Sequence, residues 1–144
     1  MNRILLLAVP LFLVSGCSNI QKNSSELQGV WKSDSEMTLA SMRSVEGISC
    51  KAKELFEGDF FGHLIAEYTD NQSRFYFDRD EDNSEGMKDF SPYKLLEETP
   101  EKFVIEYYDD LTGGKVTKEL WREGSCYWLP VSKWEFREYF CRIN

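Results

Sequence analysis

Histidine is nearly missing from this chain: His63 is the only one in 144 residues. That excludes a histidine-based metal cluster and leaves any Ser-His-Asp arrangement a single candidate base. His63 lies in the apolar run Phe60-Phe61-Gly62-His63-Leu64-Ile65, where a hydrogen-bonded structural imidazole is the expected role. Also missing are a Gly-x-Ser-x-Gly elbow, a phosphate-binding loop, a dinucleotide fingerprint and any Cys-x-x-Cys pair. The chain therefore nominates no catalytic residue and no cofactor, and the expectation is a protein that is not an enzyme. Basic residues are outnumbered 25 to 17, giving a formal charge of −8. This balance argues against nucleic acid and against a polybasic grip on anionic lipid. No apolar run approaches the roughly 20 residues that a spanning helix needs.

The longest apolar run, residues 4–14, follows the positive start Met1-Asn2-Arg3, is broken by Pro10, and ends in Ser15-Gly16 before Cys17. Its length fits a secretory leader. The stretch Leu13-Val14-Ser15-Gly16-Cys17 resembles the lipobox of bacterial lipoprotein precursors. That resemblance implies removal of a signal peptide, residues 1–16, and acylation of Cys17 at its sulfur and new amino terminus, so that the lipid bilayer becomes a partner. Two or three acyl chains suffice for stable anchoring where one does not. Ser18, rather than Asp, follows the cysteine, which in enterobacterial-type sorting implies the periplasmic face of the outer membrane. A Gram-positive host would place the protein on the outer leaflet of its one membrane. An ordinary secretory leader with an incidental Cys17, or an uncleaved anchor, is the alternative.

Residues 17–26 are polar beyond Cys17 and read as a lipidated tether, and residues 27–144 form one domain of ordinary size. With Cys17 lipidated, Cys50, Cys126 and Cys141 remain in an oxidising compartment, enough for one bridge and one leftover. Three pairings are open. Cys126 with Cys141 is favoured, because both fall on what read as the last two strands, where a hairpin can oppose them. Cys50 is then expected to be free and buried.

The domain is expected to be α+β and mostly β. Residues 28–31 read as a first strand. Ser33-Asp34-Ser35-Glu36 offers a capping box for a helix with Leu39, Met42 and Val45 on one face. A second helical pattern covers residues 50–60, with Ala52, Leu55, Phe56 and Phe60 at spacings of three and four and Gly58 inside it. From Gly62 the period becomes that of strands: residues 63–69, 73–78, 93–98, 102–108, 115–121, 125–129 and 135–143. About eight strands joined by short turns predict an antiparallel up-and-down β-barrel or strongly curved sheet, with two short helices after the first strand.

Gly29-Val30-Trp31 resembles the Gly-x-Trp opening of the lipocalin and wider calycin families. Leu27 to Asp34, Glu36 to Leu39, Tyr127-Trp128 and Glu138 to Ile143 look like small uncharacterised bacterial lipocalin-like proteins. The family's first-strand Trp packs against an Arg of the last strand. This implies a pairing of Trp31 with Arg142, which shares a face with Phe140, or else with Arg137. Trp31, Arg142 and Trp128 are the candidates to line a pocket or close the barrel. Two helices after Trp31, and no long C-terminal helix, depart from the family pattern.

Asp78, Asp80 and Asp82 stand at alternate positions with Asp89 at the twelfth, as in a calcium loop. Asn83 replaces the turn glycine, so a solvated acidic hairpin loop is the competing reading. Aromatics make up 15% of the chain, enough to fill a barrel on one face and support the helices on the other, or to line a pocket. Two functions are expected to compete: a non-catalytic module binding a small apolar ligand in an aromatic-lined cavity, and an acidic interaction lipoprotein meeting a cationic protein.

Overall fold

The computed structural model describes residues 24–131 and 133–143. The expected signal peptide, Cys17 and most of the expected tether lie outside the described residues. Eight antiparallel strands close in sequence order into a barrel: β1 (Gly29–Asp34), β2 (Leu64–Tyr68), β3 (Gln72–Phe77), β4 (Ser91–Glu98), β5 (Lys102–Asp109), β6 (Gly114–Glu123), β7 (Cys126–Pro130) and β8 (Arg137–Ile143). Two helices, α1 (Ser35–Arg43) and α2 (Cys50–Glu57), follow β1. The architecture is the expected one, and the meander closes because β8 returns to β1, with Trp31 opposite Arg142 and Ser33 opposite Phe140.

Alternation assigns the faces. On β5, Phe103, Ile105 and Tyr107 point inward, and across the ladder Leu120 and Tyr93 meet them. The inward set Leu27, Trp31, Ala66, Tyr68, Phe103, Leu120, Tyr127 and Phe140 is buried and packs as one core. A second core, Met42, Ile48, Phe56, Phe61 and Phe136, lies between the helices and the segment leading into β8. The aromatics thus serve both faces.

Several local expectations shift. β1 runs through Asp34, which pairs with Tyr139, so Ser33 is a strand residue facing inward and cannot open a capping box. Asp34 caps α1 instead, its carboxylate accepting from the Met37 amide at 2.8 Å. The second helix stops at Glu57, not at residue 60, because Gly58 leaves the helical conformation with ψ −177°. Cys50 is exposed, not buried: Ser49 caps α2, which puts Cys50 in the first turn, on the solvent side.

α1 seals β8 where β1 stops. The Tyr139 amide donates to Thr38 Oγ1 at 3.0 Å and the Arg137 amide to Ser41 Oγ at 2.9 Å. Backbone groups that would otherwise form an open edge are thereby satisfied. Cys126 and Cys141 are directly opposed on β7 and β8 and form a disulfide.

Candidate functional site

The two ends of the barrel differ. One end, where the chain enters at Glu26 and where the tight turns β2–β3, β4–β5 and β6–β7 lie, is plugged by packed side chains, with open recesses only on its outer surface. Trp31 Nε1 donates to the Leu27 carbonyl at 2.8 Å, and the Trp31 ring meets Tyr127 at 5.0 Å between centroids. Tyr127 stacks on Phe140, and its hydroxyl lies 3.2 Å from that of Tyr68. Burial pushes both phenols well above their ordinary pKa, so they stay neutral. The Arg142 guanidinium covers the Trp31 ring at 4.5 Å and donates to the Gln28 carbonyl at 2.8 Å and to the Glu26 carbonyl. Arg142 and Trp31 therefore close this end, where both border a small recess of about 180 Å³, and neither lines the cavity at the other end.

The opposite end holds a cavity of about 620 Å³, within the usual range for small-molecule sites. Its wall includes Tyr68, Phe75, Ile105, Tyr107, Leu129 and Val131. Two incomplete ladders open it. β7 pairs only with Trp121–Glu123 of β6, leaving Gly114–Leu120 bonded to β5 alone. β3 and β4 pair only at Gln72 and Ser73. Phe75 faces inward opposite Ala66, yet is 39% exposed. An inward-facing phenylalanine that water can reach marks an unfilled interior.

One ionisable group reaches this cavity from the core side. Glu138 lies two residues before Phe140 on β8 and opposite Leu129, so it points inward. Its Oε1 accepts from Ser33 Oγ at 3.0 Å. Ser33 Oγ in turn accepts from the Gly62 amide at 3.2 Å, which directs its single proton to Glu138. Burial raises the carboxyl pKa above its ordinary value, and the Ser33 bond opposes the shift. Lys118 lines the cavity at the exposed β6 edge. It makes no ion pair with Glu138.

Other expected residues lie elsewhere. Trp128 is outside the barrel, because Tyr127 takes the inward position; it stacks on Trp121 at 5.8 Å and carries the Arg137 guanidinium at 4.3 Å. The calcium candidates do not converge. Asp78 is bound to Lys32 at 2.7 Å, Asp80 to Lys88 at 2.6 Å and Asp82 to Arg79 at 2.7 Å, so the carboxylates diverge onto separate cations. Among the described residues no three acidic, histidine or cysteine side chains gather to hold a metal.

His63 is structural in its contacts, but the setting is ionic rather than apolar. Nε2 lies 2.7 Å from Asp59 and Nδ1 lies 2.9 Å from Asp78. These two hydrogen bonds raise its pKa, Asp59 first, and the same contact lowers that of Asp59. Lys32, followed by His63, lowers that of Asp78. Both ring nitrogens are engaged by carboxylates, which favours the protonated ring, since only that form can donate to both.

Sequence reading missed Glu138 and the cavity wall. The signal was present, since placing Arg142 and Phe140 on one face places Glu138 on it too. Comparison with protein-family models, curated proteins and solved structures found no match to the chain.

Proposed function

We propose that this protein is a non-catalytic binding module that holds a small apolar ligand in the open end of its barrel. The observation that carries this is the contrast between a plugged end and a 620 Å³ aromatic-lined cavity whose inward Phe75 remains exposed to water. Small-molecule sites combine such a wall with few polar groups, here Glu138 and, at the β6 edge, Thr117, Lys118 and Glu119. A lipocalin-like role suits this arrangement.

The same proposal includes a lipid anchor at Cys17 on the periplasmic face of the outer membrane, which rests on the lipobox resemblance. The chain enters at the plugged end, where Glu26 is held by Arg122 and by the Arg142 guanidinium. Mass spectrometry of the mature protein tests the anchor, an unmodified thiol at Cys17 arguing against it. The acidic alternative draws less support, because Asp78, Asp80, Asp82, Glu106 and Glu119 are already bound to basic side chains.

Fluorescence of the neutral apolar probe N-phenyl-1-naphthylamine is the direct test. Enhancement is expected with the native protein and is lost in Leu129→Trp, which fills the cavity. Leu111→Ser, at a hairpin tip that is 98% exposed, leaves binding unchanged. Loss in Leu111→Ser with retention in Leu129→Trp would move the binding to the surface and end the cavity reading.

A further inference from the structure

We infer that the ligand taken by this cavity is an apolar molecule carrying one protonated amine, with its ammonium bound to Glu138. The inference deepens the binding reading above and rests on it. Its first support is position. Glu138 faces Leu129 across the β7–β8 ladder, at the inner part of a wall whose other polar residues, Thr117, Lys118 and Glu119, sit together on the exposed β6 edge, with Glu119 already paired to Lys102. A second support is an unneutralised charge. Several outward acids of the barrel find bases, Glu106 with Lys115, Glu119 with Lys102 and Glu123 with Arg137. Glu138 has none within ion-pair distance among the described residues. Its Oε1 is held by Ser33, while Oε2 has no hydrogen-bond partner there and remains available.

A carboxylate of this kind weakens the fold, since burial disfavours its charge and only one neutral hydroxyl offsets that. A glutamine would keep the Ser33 contact without the charge. Groups held against stability inside a cavity are candidates for binding chemistry. The chemical complement of a fixed, partly desolvated carboxylate is a cationic hydrogen-bond donor, and the apolar wall supplies the site for its hydrocarbon body. Lys118 does not reverse this choice, because it sits at the solvent-exposed edge where water screens its repulsion. Tyr107 on the wall and Tyr127 beneath are neutral, so Glu138 sets the sign of the inner cavity.

Calorimetric titration with decylamine, decanol and decanoate, each below its micellar concentration and at mildly alkaline pH, separates head group from tail. Decylamine is expected to bind at least about tenfold tighter than decanol, as a hydrogen bond to a charged group implies. Decanoate should bind more weakly than either. Glu138→Gln removes the preference for decylamine and leaves decanol unchanged, and Ser33→Ala, which frees the carboxylate from its fixed rotamer, weakens the preference. Leu111→Ser, at the exposed hairpin tip outside the cavity, retains it. Equal affinity for amine and alcohol, a preference for decanoate, or an amine preference that survives in Glu138→Gln would overturn the head-group inference while leaving the cavity reading intact. Failure of decanol and of the naphthylamine probe to bind at all would instead overturn the cavity reading itself.

Discussion

Ser33 and Glu138 meet across the β1–β8 seam with their oxygens 3.0 Å apart, joining the strand that starts the barrel to the strand that closes it. The carboxylate is raised above its ordinary pKa of 4.5 by burial. An acid of higher pKa when folded binds more protons in the native state, so stability falls as pH rises from about 4.5 through the folded value. Glu138→Gln should therefore raise the melting temperature at neutral pH. The gain should vanish below pH 4.5, where Glu138 is protonated in both states. Thermal melts of both proteins across pH read this directly, and an equal gain at every pH would show that charge is not its source.

The Cys126–Cys141 bridge joins residues 15 apart on adjacent strands. In the chain-entropy model a loop of this order is worth about 3 kcal/mol. Replacing both cysteines with alanine should lower stability by about that amount in denaturant titration, and adding reductant to the native protein should reproduce the loss. β7 is the strand most affected, because it has only three residue pairs with β6 and depends on β8 for the rest.

What could be read ahead of the coordinates was what depends on local periodicity. The alternation Phe103, Ile105, Tyr107 and the opposed Cys126 and Cys141 place β5, β7 and β8 with little ambiguity. Boundaries that depend on long-range pairing could not be read. Ser33 looks like a helix cap until Phe140 claims it for the β1–β8 ladder, and Trp128 looks like a pocket residue until Tyr127 takes the inward phase. The cavity was least legible of all. It arises where β6 outruns β7 and β3 diverges from β4, and ladder length is a property of two distant segments at once.

Gly29 and Arg142 are fitted to one another. Gly29 has φ +131°, and a Cβ there would stand 2.6 Å from Arg142 Nη1. Alanine at this position adds backbone strain and pushes the guanidinium off Trp31, for an expected loss of roughly 2–4 kcal/mol. Arg142→Met keeps the aliphatic cover but loses the cation over the ring and the bonds to Gln28 and Glu26, and should cost about 1–2 kcal/mol. The double variant should fall short of the sum, since both act through the same contact. Additive losses in chemical denaturation would mean that the glycine requirement is backbone strain alone.

His63 pins three segments together: Asp59 after α2, Asp78 after β3, and through those acids Arg79 and Lys32. The linkage has opposite signs for its members. The raised pKa of His63 gives a contribution that is full below its ordinary 6.5 and is lost as pH rises through the folded value. Asp59 and Asp78, lowered from 3.8, contribute above that value and lose it as pH falls through their folded values. The cluster is thus strongest between about pH 4 and 6.5. His63→Ala should lower the melting temperature within that window and differ less from the native protein on its alkaline side, beyond the folded pKa. Asp59 and Asp78, with lowered pKa values, are ionised on both sides of the histidine transition, so the alkaline limb belongs to the imidazole. Amide hydrogen exchange of the Asp78 amide, which donates to the His63 carbonyl at 2.9 Å, locates the loss. It should quicken on the alkaline side in the native protein, and an exchange rate free of any step there would detach the imidazole from the packing of this loop.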